Sequence, residues 1–158
     1  LLEQIAQGER GVEALAEKTG LTIIGPHKDD LPLLQRIETQ AATYGIDGLR
    51  SVVPDQWLED GETVSFGEHV FEVYHCPGHA PGHVIYFNRS QKFAHLGDVL
   101  FSGSVGRTDL PGGDHQTLIN SIRDKVLPLG DDVGFICGHG PGSRIGDERR
   151  SNPFIQGL

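Results

Sequence analysis

Apolar positions recur at helical spacing early in the chain and give way to strand-like alternation further on. Val12, Leu15 and Ala16 share one face of a predicted helix from Val12 to Lys18, which Gly20 ends. Leu21-Thr22-Ile23-Ile24 is a short, largely β-branched run stopped by Gly25-Pro26, and it reads as a buried strand. A helix followed at once by a strand is an α/β signature. Asp30 can cap a second helix from about Leu31 to Tyr44, with Pro32 in its first turn and Gly45 at its end.

Beyond Trp57 the pattern becomes a meander. Strands are expected over Thr63 to Phe66, His69 to His75, Val84 to Phe87 and Phe93 to Leu96, with turn signals at Gly67-Glu68 and Asn88 to Gln91. Leu118 to Val126 reads as a helix, with Asp114 placed to cap it. Gly134 to Cys137 reads as a last strand that ends in Gly138-His139-Gly140. Ser151 to Leu158 shows no periodicity, and the chain contains no internal repeat or low-complexity segment.

Composition narrows the function classes. A length of 158 residues suits one domain spanning 1–158. Apolar residues make up 37%, and 22 glycines with 9 prolines favour a loop-rich α/β or β fold over a helical bundle. The net charge of −9 lacks the basic footprint of a nucleic-acid binder and disfavours anionic membrane surfaces. No apolar run is long enough to span a membrane. Leu1 to Glu17 has neither the basic nor the apolar region of a signal peptide, so a cytoplasmic protein is expected. Two cysteines, Cys76 and Cys137, are too few for a disulfide scaffold and read as reduced thiols.

Candidate chemistry lies in glycine-rich punctuation. His79 and His83 sit in Cys76-Pro77-Gly78-His79-Ala80-Pro81-Gly82-His83, an irregular loop after a strand, and His139 sits in a second such loop. Asp98 is embedded in the apolar run Leu96-Gly97-Asp98-Val99-Leu100-Phe101. A buried carboxylate is costly unless it is paired or bound to a metal. Two histidines and a carboxylate at three strand ends would offset that cost by binding a divalent cation. His79, Asp98 and His139 are therefore the candidate ligands, and His83 is a supporting residue. His69, His75 and His95 lie within or beside strands, and His27 and His115 read as loop or surface residues.

The run from Cys76 to His83, then Gly97-Asp98, Gly106-Arg107-Thr108-Asp109 and Gly138-His139-Gly140-Pro141, resembles the later motifs of the metallo-β-lactamase superfamily. The likeness is strongest to the short type II glyoxalase-like thioesterases, the hydroxyacylglutathione hydrolases, particularly the bacterial YcbL-like group. It implies a four-layer αββα sandwich and two metal ions, zinc or else iron or manganese. His79 would bind the first ion and His139 the second. Asp98 would bridge both and serve as the catalytic carboxylate. Arg107 would lie near the glutathione moiety of the substrate, or else form a surface salt bridge. The implied activity is hydrolysis of S-lactoylglutathione or a related thioester, a small-molecule substrate whose thiolate leaving group needs no strong general acid. A mononuclear iron persulfide dioxygenase of the same fold and a metal-poor, inactive binding module are the alternatives.

One departure stands out. The family carries an earlier His-x-His-x-Asp-His segment, after its first strands and just before its first long helix. The helix is expected here at Gly11 to Lys18, but Leu1 to Arg10 hold no histidine and no aspartate. Three ligands out of seven would hold two zinc ions poorly. The expectation is that residues are omitted upstream or near Gln7 to Gly11. A deletion of the early strands would leave an unpaired sheet edge and an inactive protein.

Overall fold

The computed structural model describes residues 16–43, 45, 51 and 53–158. The chain divides into two compact units, Leu1–Trp57 and Leu58–Leu158.

In the first unit, residues 16–19 are helical, and the Gly20 N–H closes the turn on the Ala16 carbonyl at 2.7 Å. The rest of the predicted first helix, from Val12 to Leu15, lies outside the described residues. The expected buried strand at Leu21 to Ile24 does not form. Only one parallel bridge, Ile24 to Gln56, is made, and Leu21 and Ile24 are exposed. The cause is the pairing available. The Ile23 N–H donates to the Asp55 carboxylate at 2.8 Å instead of a strand carbonyl, so no ladder can extend.

The second predicted helix is split into α1 (Leu31–Leu34) and α2 (Ile37–Thr43), with Pro32 in the first turn of α1. A 3-10 turn at Lys28–Asp30 precedes α1. Its cap is His27, whose Nδ1 accepts the Asp29 N–H at 3.3 Å, and Asp30 makes no side-chain cap. Ile37 and Ala41 are buried together, one turn apart. The expected final residue, Tyr44, lies outside the described residues, and Gly45 follows with a φ of +66°.

The second unit is built on a six-stranded sheet. Its strands are β1 (Thr63–Phe66), β2 (His69–His75), β3 (Val84–Asn88), β4 (Phe93–His95), β7 (Gly134–Ile136) and β8 (Ser143–Arg144), in the spatial order β1-β2-β3-β4-β7-β8. The four strands of the predicted meander pair in sequence as antiparallel neighbours. The predicted last strand, β7, then adds parallel to β4, with His95 opposite Ile136. A separate two-stranded ribbon joins β5 (Leu100–Phe101) to β6 (Ser104–Val105).

The crossover from the ribbon to β7 is α3 (His115–Ser121), continued by a π-helical turn at Ile122–Val126 and a 3-10 turn at Leu127–Leu129. Asp114 caps α3 as expected, accepting the Thr117 N–H at 2.7 Å. Leu118, Ile122 and Val126 recur every four residues and pack, fully buried, with Ile85, Phe87 and Leu96 of the sheet side. Burial of each such side chain stabilises the unit by about 1.5–3 kcal/mol. A last helix, α4 (Ile145–Ser151), follows β8 and was not anticipated. Among the described residues no helix is long and apolar enough to cross a membrane.

Strand direction places the chemistry. β2 is antiparallel to β3, β3 to β4, and β4 is parallel to β7. β2, β4 and β7 therefore run the same way, and the loops that follow them leave the same edge of the sheet. Those loops carry His79, Asp98 and His139 respectively.

Candidate metal centre

The three predicted ligands meet. His79 Nε2 lies 3.4 Å from Asp98 Oδ2, and His139 Nε2 lies 3.9 Å from the same oxygen. Both separations exceed the roughly 2.9 Å of an N–H···O hydrogen bond. Two donors each about 2.1 Å from a shared tetrahedral ion stand roughly 3.4 Å apart, so the spacing suits ligands better than hydrogen-bond partners.

The tautomer of His79 sharpens the point. Its Nδ1 is 2.8 Å from the Arg107 main-chain oxygen, which can only accept, so in the neutral ring Nδ1 carries the proton. The Nε2 lone pair then faces a carboxylate oxygen. Two lone pairs at that distance repel unless a proton or a metal cation lies between them. A histidine that donates its far nitrogen to a carbonyl is also the usual arrangement for a metal-bound imidazole.

The surrounding backbone leaves room for this group and little else. A Cβ on Gly138 would lie 2.3 Å from Asp98 Oδ1, and one on Gly106 would lie 1.9 Å from the Asp98 main-chain oxygen. The Gly138 N–H donates to the Gly97 carbonyl at 2.9 Å, which ties the His139 loop to the Asp98 loop. His79 is 5% and Asp98 13% exposed, whereas His139 is 59% exposed, so the cluster opens to solvent on the His139 side. Phe101 packs on that open ring, with centroids 4.6 Å apart. The residues present therefore fit divalent metal at two places that share one carboxylate: His79 with Asp98 could hold one cation, and His139 with Asp98 another.

His83 takes the supporting place the sequence suggested. Its Nε2 accepts the Asp98 N–H at 3.1 Å, and its ring lies edge-on to His79 with centroids 6.1 Å apart. Desolvation of this partly buried ring is the main reason its pKa is pushed down to about 3, with further lowering from nearby His79, His95 and His75. It stays neutral and keeps an acceptor lone pair for Asp98.

Arg107 separates into two parts. Its main chain orients His79, while its exposed guanidinium makes a two-point ion pair with Asp109 at 2.8 and 2.7 Å. That pairing is the main cause of an Asp109 pKa lowered to about 2. Cys76 and Cys137 are both buried and unbonded to each other. Burial pushes the Cys76 thiol up to about 12, and Cys137 Sγ donates to the His139 carbonyl at 2.9 Å.

Sequence reasoning missed the glycine cradle and the packing of Phe101. The glycines around Asp98 and His139 were visible as loop punctuation. Their close approach to a carboxylate needed three-dimensional contacts.

Comparison with known proteins matches these features. Residues 10–139 fit the family model described as the metallo-beta-lactamase superfamily. The hydroxyacylglutathione hydrolase GloC of Haemophilus influenzae is 44% identical over 142 residues, covering 89% of this chain and 67% of that protein. The probable metallo-hydrolase YqgX of Bacillus subtilis is 39% identical over 104 residues, and the match covers 66% of this chain and 49% of YqgX. Among solved structures, TTHA1623 in a di-iron-bound form superposes with a TM-score of 0.81 at 39% identity, covering 91% of this chain and 70% of that one. The BLEG-1 B3 metallo-beta-lactamase superposes with a TM-score of 0.81 at 34% identity, covering 92% and 70% of the two chains. The chain has the metallo-β-lactamase fold and belongs to the metallo-β-lactamase superfamily of metal-dependent hydrolases.

Proposed function

We propose that this protein is a metal-dependent thioesterase acting on S-lactoylglutathione or a related acyl-glutathione. The observation that carries the reading is the His79 ring, fixed by the Arg107 carbonyl so that Nε2 faces Asp98 Oδ2 at 3.4 Å. The likeness to the Haemophilus hydroxyacylglutathione hydrolase supports the substrate class. His79, Asp98 and His139 would be the later ligands of a two-metal site, with Asp98 shared between the ions. The His-x-His-x-Asp-His segment would be supplied ahead of the Gly11 region in the whole protein. Zinc is the proposed metal, and the di-iron form of TTHA1623 makes iron the first alternative to test.

A bound divalent metal would supply Lewis acidity, which can lower the pKa of water to roughly 7 and polarise a carbonyl. The chain's own residues hold and orient. The Arg107 carbonyl fixes the His79 tautomer, the neutral His83 ring holds the Asp98 backbone, and Phe101 covers one face of His139. The leaving thiol has a pKa of about 8.5, so it departs as a thiolate without a strong acid. Swinging away from Asp109, the Arg107 guanidinium could meet a glutathione carboxylate. The proposed setting is the cytoplasm, where two unbridged cysteines are at home and a small thioester is the only partner required.

The test is metal analysis and assay of the protein encoded by the whole gene. Two metal ions per chain and hydrolysis of S-lactoylglutathione are expected, with both lost in His79→Ala. A metal-loaded protein that cleaves no glutathione thioester would overturn the substrate assignment. One iron per chain with oxygen uptake would replace it with the dioxygenase reading.

A further inference from the structure

Glu148 of α4 is 3% exposed, and its hydrogen bonds go to Gly103, Ser143 and Asn152 rather than to His79, Asp98 or His139. A buried carboxyl group is costly unless its lone pairs are used. Here they are used on three donors, one of them in the β5–β6 turn. Glu148 Oε2 accepts the Gly103 N–H at 2.8 Å and Asn152 Nδ2 at 2.9 Å, and Oε1 accepts the Ser143 hydroxyl. Asn152, fully buried, also donates to the Phe101 carbonyl at 3.3 Å and the Ser104 carbonyl at 2.9 Å. Both ends and the tip of the β5–β6 turn are thus pinned by two side chains one helical turn apart.

The pinned turn carries Phe101, and the ring of Phe101 lies 4.6 Å from that of His139. His139 needs such support. Its backbone is tied through Gly138 and Cys137, but its ring is 59% exposed. His79, by contrast, is buried and held by a hydrogen bond of its own.

We propose that Glu148 and Asn152 are positioning residues for His139, acting through the β5–β6 turn and Phe101 to hold that ring at the distance from Asp98 that a metal requires. The proposal rests on the reading of His139 as a ligand.

The experiment uses the full-length protein and has two readouts. The first is the proton NMR shift of the His139 ring in metal-free protein, where Phe101 imposes a ring-current shift whose zero is set by Phe101→Leu. The second is zinc affinity by competition with a chromophoric chelator. Glu148→Ala and Asn152→Ala are expected to move the His139 shifts toward those of Phe101→Leu and to weaken zinc binding by about tenfold or more, the usual effect of losing an outer-sphere support. Glu148→Gln keeps an acceptor for Gly103 and Asn152, while the Ser143 hydroxyl can turn to accept, so it should stay near wild type on both. Val73→Ala, a buried β2 residue away from the ribbon, controls for general destabilisation and should leave both readouts unchanged.

Wild-type His139 shifts in folded Glu148→Ala or Asn152→Ala would overturn the proposal. So would equal zinc loss in Val73→Ala. Should neither alanine variant fold, unchanged zinc affinity in Phe101→Leu overturns it and a clear loss supports it. A wild-type protein that binds no zinc would refute the metal reading alone, because the metal-free His139 shifts still test the latch.

Discussion

The Nδ1–H of His79 points at the main-chain oxygen of Arg107, 2.8 Å away, while the Arg107 side chain turns outward to Asp109. One residue thus serves the site through its backbone while its side chain is engaged elsewhere, by Asp109. Arg107→Ala should therefore keep metal content and zinc affinity within about twofold, since no ligand or outer-sphere group is lost. If the guanidinium contacts the glutathione moiety, KM for a glutathione thioester should rise with kcat nearly unchanged, the mark of lost ground-state binding. Steady-state kinetics with metal analysis checks both. Loss of metal would show that the side chain, and not the carbonyl alone, holds His79.

Gly138 and Gly140 flank His139, yet they should respond differently to alanine. A Cβ at Gly138 would collide with Asp98 Oδ1 at 2.3 Å, whereas at Gly140 it would meet open space with only a φ of +85° to oppose it. Gly138→Ala should displace the carboxylate, cost about 1–3 kcal/mol in overpacking and abolish metal binding. Gly140→Ala should cost roughly 1–2 kcal/mol of backbone strain and retain metal. Urea denaturation with metal analysis of both variants decides. Equal metal content would show that Asp98 has freedom the structure does not suggest.

The partly buried His83 ring makes a prediction about pH. Its pKa is pushed down from 6.5 to about 3 in the fold, chiefly by burial. Between those values the unfolded chain holds a proton that the folded protein does not, so stability rises with pH across this window. The contribution is fully present above about pH 6.5 and is lost progressively as pH falls toward the folded value, at up to roughly 1.4 kcal/mol per unit. Denaturation of the chelator-treated protein between pH 4 and 7 should show this slope. His83→Gln, which can still accept the Asp98 N–H but does not titrate, should flatten it. A slope unchanged in His83→Gln would assign the dependence to other groups.

Much of the second unit was legible because its signals are local. Alternation over Thr63 to Phe66 and His69 to His75, with the turn between them, fixes an antiparallel pair without long-range information. The candidate ligands were legible for a related reason: glycine and proline mark where strands end, and His79 and His139 lie in those breaks. What failed or was missed depends on distant partners. Leu21 to Ile24 has the composition of a strand but meets the Asp55 carboxylate in place of a ladder. α4 and the ribbon are short, and their anchor is a buried carboxyl group near the end of the chain bonded to a turn 45 residues earlier. No periodicity reports that kind of contact.

The His79 loop has its own anchorage, which yields a final test. The Ser121 hydroxyl of α3 donates to the Pro77 carbonyl at 2.7 Å, and the Asp114 N–H donates to the Gly78 carbonyl at 2.8 Å. Gly78 also presses on the backbone of Leu118, where a Cβ would lie 2.3 Å from the nitrogen. The loop thus rides on the helical segment that carries the core residues Leu118 and Ile122, so rigidity passes from the core to His79. Ser121 is 7% exposed, and its loss leaves the partly buried Pro77 carbonyl without that donor. Ser121→Ala should therefore cost about 0.5–1.5 kcal/mol of stability in metal-free protein. It should also weaken zinc binding several-fold, because the His79 loop gains freedom that metal binding must remove. Calorimetry of the metal-free protein and chelator competition measure the two effects separately. A destabilised variant with wild-type zinc affinity would show that the Asp114 and Gly78 contacts suffice to hold His79, and that the Ser121 bond serves folding alone.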